Sequence, residues 1–196
     1  MTFQYGQHGA GANALLYNSP ADWVSPNPGD PEERFKDNPW PTWTDKVIVN
    51  DTDHLWGHTG GDSLWVWKSF TRGLNVLFKE ELLPSPTWQD SARVAMGQTR
   101  DFAEKMNLAE MTPSRDLSNT TYCLASKGTE YLVFQWDKGE FTLNLTDAPG
   151  TFSTEWFNIT TGASLPGKPV AGGAVRTFTT PFGGPAALHV RLAGSP

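Results

Sequence analysis

Residues 46–78, KVIVNDTDHLWGHTGGDSLWVWKSFTRGLNVLF, decide the fold predicted for this chain. The run KVIV is continuously apolar and rich in β-branched residues, which favours a strand buried on both faces of a parallel sheet. Asp62 or Ser63 can cap a helix over SLWVWKSFTR, and Gly73 offers its C-terminal stop. The run LNVLF predicts a second short strand. Strand, helix and strand in this order form a βαβ unit with a right-handed crossover.

The flanking segments predict a chain of two parts. Six prolines between Pro20 and Pro41 favour a long surface loop over a long helix or a central strand. An apolar stripe over residues 92–106 predicts a further helix. Beyond residue 112, six short alternating segments separated by glycine turns predict an all-β sandwich. They are TYCLAS, EYLVFQW, EFTLNL, TFSTEWFN, AVRTFTT and AALHVRL. The predicted parts are an α/β domain over residues 1–111 and a β-sandwich over residues 112–196.

Composition argues against several classes of partner. The net charge is −6 and the 15 Lys and Arg residues form no run, which argues against nucleic acid and anionic membrane surfaces. No apolar stretch approaches the roughly 20 residues of a membrane span, and the N-terminal segment lacks the features of a signal peptide. The single Cys123 excludes an internal disulfide and a cysteine-based zinc site. Nine tryptophans suit a carbohydrate or small-molecule cleft, although most of them fit ordinary positions in a hydrophobic core. The compartment is undetermined.

Ionisable side chains are concentrated directly after the first predicted strand. The carboxyl ends of parallel strands are where functional groups gather in α/β sheets and barrels. Asp51, Asp53 and His54 are therefore the predicted catalytic residues, because carboxylates can act as nucleophile or base and histidine titrates near neutral pH. The alternative is that they only cap loop N–H groups. The residues predicted to bind substrate at the same mouth are Trp56, His58, Asp62 and His8.

Two other functions are compatible with the sequence. The first is a metal-assisted ester or lactone hydrolase, which would bind a divalent cation through Asp51, Asp53, His54, His58 and Asp62. The carboxylate oxygens of Asp51, Asp53 and Asp62 would suit calcium better than zinc. The second is a non-catalytic carbohydrate- or matrix-binding module, which would use Trp136 and Trp156 of the β part as exposed aromatic side chains. The favoured interpretation of these two tryptophans is that they belong to the sandwich core. The favoured interpretation, a hydrolase acting on a carbohydrate or another small molecule, requires no metal or other cofactor.

A resemblance to a known family covers nearly the entire chain. It is carried by VIVNDTDHLWGHTGGDSLWVWKSFTRGLNVLF, NSPADWVSPN and MGQTRDFAEKMNLAEMTP. These segments resemble the apiosidase-like family of (β/α)₈-barrel glycoside hydrolases. The β part is similar to the C-terminal sandwich of that family, which is labelled collagen-binding. The resemblance implies a fold of α/β plus all-β class, with the last two to three strands of a barrel followed by a β-sandwich. Residues 2–4, 46–50 and 74–78 would be strands six, seven and eight.

The resemblance also implies a glycosidase-related hydrolase that is truncated. In barrel glycosidases of this type one carboxylate follows strand four and its partner follows strand seven. Asp51 or Asp53 matches the second position, and the first has no counterpart because strands one to five are absent. A short parallel sheet leaves strand edges that need cover. We therefore expect close contact between the two parts or a homodimer.

Overall fold

The computed structural model describes residues 3–5, 12–26, 36–39, 45–52, 60–79 and 89–194. Over these residues the chain is of mixed α/β class, with mainly strands and few helices. It divides into two compact units, Met1–Met96 and Gly97–Pro196. The domain division predicted at residues 111 and 112 stays a prediction. No described helix has the length and apolar character that crossing a membrane requires.

The first unit contains a parallel sheet whose strands follow one another in chain order. Its elements are β1 (Phe3–Tyr5), α1 (Ala12–Tyr17), β2 (Trp23–Ser25), β3 (Val47–Asp51), α2 (Ser63–Thr71) and β4 (Asn75–Leu77), and helix α3 (Asp90–Lys105) follows. The strand order is β1-β2-β3-β4, and every neighbouring pair is parallel. Such an order is the one found in (β/α) sheets and barrels, where each strand lies beside the next. The expected numbering of residues 2–4 and 46–50 as consecutive strands is wrong, because β2 lies between them and the sheet has four strands where two to three were expected.

The predicted strand–helix–strand unit is confirmed. Asp62 is the N-cap of α2, and the chain leaves the helix through Gly73, which has a φ of 72°. Asn50 Nδ2 donates a hydrogen bond of 2.9 Å to Ser69 Oγ, and both residues are buried. This bond fixes β3 against α2, because an unmade bond between buried polar groups would be costly.

The prediction of a continuous surface loop through the proline-rich segment is wrong for β2. Pro20 and Pro26 lie outside this three-residue strand, so neither removes a hydrogen-bond donor from it. Pro26 also restricts Ser25 to extended backbone. Lys46 Nζ donates to the carbonyl oxygens of Ser19 and Ala21, at 2.6 and 2.7 Å, and so holds the approach to β2 beside the start of β3.

The prediction that β3 is buried on both faces is also wrong. Ile48 points into a small core with Val24, Leu16 and other apolar residues, next to the helices. Val47, on the opposite face, is 49% exposed. Strand periodicity places successive side chains on opposite faces, so one face of this strand is packed and the other is open. A continuous apolar run shows that a strand is favoured, and says nothing about what covers it.

The second unit is built of antiparallel strands. Its strands are β5 (Thr112–Pro113), β6 (Cys123–Ser126), β7 (Glu130–Gln135), β8 (Glu140–Asn144), β9 (Thr151–Asn158), β10 (Ser164–Pro166), β11 (Val170–Ala171), β12 (Val175–Thr179) and β13 (Ala186–Leu192). Two short 3₁₀ helices, Leu108–Glu110 and Arg115–Leu117, flank β5. The larger sheet has the order β10-β9-β13-β7-β6-β5, with β11 also on β9, and β12 pairs with β8. All six predicted strands are present.

One hydrophobic core joins the two sheets of this unit. Val133 and Leu188 of the larger sheet pack in the same buried cluster as Phe141 and Leu143 of β8. The ring of Phe141 meets that of Trp156 edge to face, with centroids 5.9 Å apart. Aromatic pairs of this geometry contribute beyond their buried area. The name sandwich for this arrangement stays a prediction.

Candidate functional site

A cavity of about 360 Å³ lies on the open face of the parallel sheet. Three neighbouring strands line it with alternate residues. These are Trp23 and Ser25 of β2, Val47, Val49 and Asp51 of β3, and Leu77 of β4. Because alternate residues of a strand share a face, the cavity follows directly from the register of the three strands. Its exposed lining is almost wholly apolar.

Of the three predicted catalytic residues, Asp51 lies within the part of the chain that the structure describes. It is the last residue of β3, at the carboxyl edge of the sheet, and it lines the cavity. Its partner in the neighbouring strand is Leu77, and only 9% of its surface is exposed. Asp22 also lines the cavity but precedes β2, so it lies towards the amino edge of the sheet. Two of the described residues that line the cavity are therefore acidic, one towards each edge of the sheet.

Thr52 connects the ends of two strands. Its Oγ1 accepts a hydrogen bond of 2.9 Å from the backbone N–H of Lys79, just after β4, and its side chain is fully buried. Gln89 Nε2 donates to the carbonyl of Lys79, at 3.4 Å. The carboxyl ends of β3 and β4 are therefore held together beside Asp51. Sequence reasoning missed Thr52, although a threonine between two aspartates at a strand end is a usual place for a side chain that bonds the backbone.

Asp62, predicted to bind substrate, is engaged at the start of α2. Its Oδ1 accepts a hydrogen bond of 2.8 Å from the backbone N–H of Trp65, as an N-cap does. Gly61 before it has a φ of 97°, and a Cβ there would come within 3.1 Å of the Trp65 ring. The glycine therefore serves a tight turn against the helix. The part of Asp62 in substrate binding stays a prediction.

The other predicted site residues lie outside the described residues. They are Asp53, His54, Trp56, His58 and His8. Of the five candidate metal ligands, only Asp51 and Asp62 are described. In the described ranges, no group of three or more His, Cys, Asp or Glu side chains is placed to hold a metal ion. The metal set and the choice of calcium therefore stay predictions.

Two basic side chains, one in α2 and one directly after it, bind the backbone of the proline-rich segment. Lys68 Nζ donates a hydrogen bond of 2.6 Å to the Asp37 carbonyl, and Arg72 donates to the Pro39 carbonyl. Burial lowers the pKa of Lys68, while the negative charges of Asp37 and Asp62 act in the opposite direction. Residues 37–39 are thus held against the helix that Asp62 caps.

The two tryptophans considered for a binding platform in the second unit differ in exposure. Trp156 is buried, as favoured from the sequence, whereas Trp136 is 46% exposed, so the favoured core position is wrong for Trp136. Trp156 faces inward because alternate residues of β9 face the core. His189 is also buried, and its Nε2 lies 2.7 Å from Glu130 Oε1. It takes part in an internal polar pair with Glu130.

Comparison with known proteins gives similarity of fold only. No family model matches the chain, and a search of curated proteins finds no match. A solved structure described as a glycoside hydrolase superposes with a TM-score of 0.64 at 10% identity, over 94% of this chain and 56% of that one. A family 5 glycoside hydrolase from Bacteroides vulgatus superposes with a TM-score of 0.55 at 12% identity, over 79% of this chain and 43% of that one.

The chain spans about half the length of these two solved structures. At such low identity the superpositions establish a glycoside hydrolase-like fold. They do not establish the apiosidase-like family or a collagen-binding domain. The arrangement of a barrel segment followed by a sandwich is likewise not established by them.

Proposed function

We propose that this chain carries part of the active site of a glycosidase-type hydrolase, at the carboxyl edge of the β1–β4 sheet. The observation that carries the proposal is the position of Asp51. Asp51 ends a parallel strand, is mostly buried, and is one of the residues that line a cavity on the face of the sheet away from the helices. Carboxylates at this edge perform the chemistry of parallel α/β folds. The glycoside hydrolase-like fold supports the same conclusion.

Hydrolysis of a glycosidic bond requires two carboxyl groups. One gives a proton to the leaving-group oxygen as the C–O bond breaks. The other either attacks the anomeric carbon or removes a proton from the attacking water. Asp51 provides one of these groups. Trp23, Val49 and Leu77 give the cavity beside it a mainly apolar lining, as is usual for a binding cleft with few polar groups.

The finer parts of the proposal rest on residues beyond the described ranges. Asp53 and His54 follow Asp51 directly in the sequence, and we propose that they face the same mouth. His8 follows β1, so we place it at the carboxyl edge too. Membership of the apiosidase-like family, and a barrel segment followed by a sandwich, are proposed on the motifs quoted above. No metal ion is required by this mechanism.

Hydrolysis of a panel of aryl glycosides tests the proposal, with release of the phenol as the readout. The test variant is Asp51→Asn, which removes the charge and keeps the shape. Asp22→Asn is the matched control, because Asp22 lines the same cavity but lies towards the other edge of the sheet. We expect Asp51→Asn to lower kcat/KM by roughly 10²–10⁴-fold. The control should stay close to wild type.

Two results would refute the proposed function. The first is no turnover above the uncatalysed rate on any glycoside of the panel. The second is an equal loss of activity in the two aspartate variants, since this would trace the effect to the cavity in general and not to the carboxyl edge. Circular dichroism spectra of both variants establish that each is folded before activity is compared.

A further inference from the structure

The larger sheet of the second unit has one face that points away from the unit's core, and this face changes from apolar to polar along β13. Phe157 and His189 lie on it and contact the ring of Phe102 in α3, with centroids 5.2 and 6.1 Å away. Two residues after His189 comes Arg191, whose neighbour in β7 is Glu130. Alternate residues of a strand share a face, so His189 and Arg191 lie on the same side. The end of α3 therefore covers the apolar part of the face, and the polar part begins beside it.

Two cavities lie over the polar part of this face. The first has a volume of about 460 Å³, and its lining includes Glu155 and His189. The second has a volume of about 410 Å³, and its lining includes Glu130. Lys105, the last residue of α3, and Arg191 line both cavities, so the two adjoin. They form a single groove within the second unit, which we call the polar groove.

Two charged groups of the polar groove have no hydrogen-bond or ion-pair partner among the described residues. They are the carboxylate of Glu155, which is half-buried, and the ammonium group of Lys105. Lys105 Nζ lies 5.1 Å from the ring centroid of Phe102, and this is its contact with the protein. Partial burial of a charge without a partner is unfavourable, and a bound ligand would supply the missing hydrogen bonds.

The base of the groove is held by polar groups that do have partners. His189 Nε2 lies 2.7 Å from Glu130 Oε1, and both side chains are buried. Arg191 Nε lies 3.7 Å from the same oxygen. Buried polar groups that are bonded to one another make a region rigid. A ligand would therefore meet a preorganised surface, which lowers the cost of ordering side chains on binding.

The mixture of charges in the groove selects the class of ligand. An anion such as phosphate would face the carboxylates of Glu130 and Glu155, and a cation would face Lys105 and Arg191. A neutral molecule with many hydroxyl groups avoids both conflicts, because a hydroxyl can donate to a carboxylate and accept from an ammonium group. Saccharides have this chemistry, and two adjoining cavities suit a short chain of sugar rings better than a single compact molecule.

We propose that the polar groove of the second unit binds a short neutral saccharide. Glu155 accepts a hydrogen bond from one of its hydroxyl groups, and Lys105 donates to another. Hydrogen bonds to charged groups are stronger than those between neutral groups, so these two side chains contribute most to the affinity. The site goes beyond the proposed function, because it binds sugar without taking part in hydrolysis.

Isothermal titration calorimetry of the full chain with maltotriose, cellotriose and xylotriose tests the site. We expect at least one of them to bind with a Kd of about 1 mM or tighter. Glu155→Ala and Lys105→Ala should each raise that Kd roughly tenfold or more, since each removes a charged hydrogen-bonding group. Glu140→Ala and Lys138→Ala are the matched controls, because both residues are exposed and line neither cavity. They should bind with the wild-type Kd.

Circular dichroism establishes that each variant is folded before it is titrated. The proposal is overturned if none of the three saccharides binds, or if either Glu155→Ala or Lys105→Ala keeps the wild-type Kd. Titration with L-alanine tests for a zwitterion, and binding of L-alanine without binding of any saccharide also overturns the proposal. Failure of the proposed function gives a different result, in which the saccharide binds as expected but no aryl glycoside is hydrolysed.

Discussion

Lys46 is expected to hold β2 in the sheet, and replacing it with methionine tests this. The ammonium group donates to two carbonyls, of Ser19 and Ala21, at 2.6 and 2.7 Å. A hydrogen bond from a charged donor contributes about 1.5–3 kcal/mol. Lys46 is partly exposed, and solvent screening lowers the sum for the two bonds. We expect Lys46→Met to cost the local structure about 2 kcal/mol.

Hydrogen–deuterium exchange measured by mass spectrometry reports this loss at the strand itself. A cost of about 2 kcal/mol corresponds to roughly 30-fold faster exchange of the protected amides in the peptide that contains Trp23–Ser25. Lys127→Met is the control, because Lys127 is exposed in the turn between β6 and β7. It should leave exchange in that peptide unchanged. An increase of less than about threefold in Lys46→Met would refute the role assigned to the two bonds.

Three further predictions concern the second unit. Burial raises the pKa of Cys123 to about 12 from an ordinary value near 9, so iodoacetamide should modify it only after unfolding. The contribution of the neutral thiol to the free energy of unfolding should fall as pH rises from about 9 to 12. Modification of the native protein at pH 8 would contradict this. Gly172→Ala should lower the free energy of unfolding by about 1–3 kcal/mol in urea denaturation, because its Cβ would overlap the Ala148 carbonyl oxygen. The Cβ of Gly184→Ala meets no atom, so this control should be neutral, and equal effects of the two variants would contradict the overlap. Glu130→Ala should lower the free energy of unfolding by about 2 kcal/mol, because it removes the hydrogen-bond partner of the buried His189. Glu104→Ala, which breaks an exposed ion pair, is the control, and an equally small loss in both variants would show that the buried pair contributes little.

The parts of the fold that the sequence predicts well are those with strong local signals. The strands over Val47–Asp51 and Asn75–Leu77 come from short apolar runs, and the helix over Ser63–Thr71 has a capping residue and a glycine stop. The six alternating segments of the second unit are predicted for the same reason. Their inward and outward residues follow a period of two, and glycine turns separate them.

The parts that sequence reasoning missed depend on contacts distant in the chain. Three residues, Trp23–Ser25, are too few to give a periodic pattern, and the prolines around them suggest a loop. Their strand is fixed by pairing with β1 and β3 and by the ammonium of Lys46. Helix α1 has six residues and is likewise too short to give a periodic pattern. The open face of β3 was also missed, because side-chain identity does not reveal what lies opposite a strand.

The candidate site shows the same division. The place of Asp51 at a strand end is readable from a β-branched run followed by a carboxylate. Its neighbours in the cavity are not, because Trp23 and Leu77 come from strands 28 residues before it and 26 residues after it. The bond between Thr52 and the backbone of Lys79 likewise links residues 27 positions apart. Spatial neighbours of this kind are set by register, which local pattern does not specify.

Azide rescue tests the central claim, that the Asp51 carboxylate takes part in glycoside hydrolysis, most directly. Asp51→Ala leaves space at the carboxyl edge of the cavity, and azide is a small anion that can replace the missing group. Asp51→Ala should lose turnover of an activated aryl glycoside, and added azide should restore it with formation of a glycosyl azide. Asp22→Ala should keep its turnover without azide. Wild-type turnover in Asp51→Ala without azide would contradict the claim.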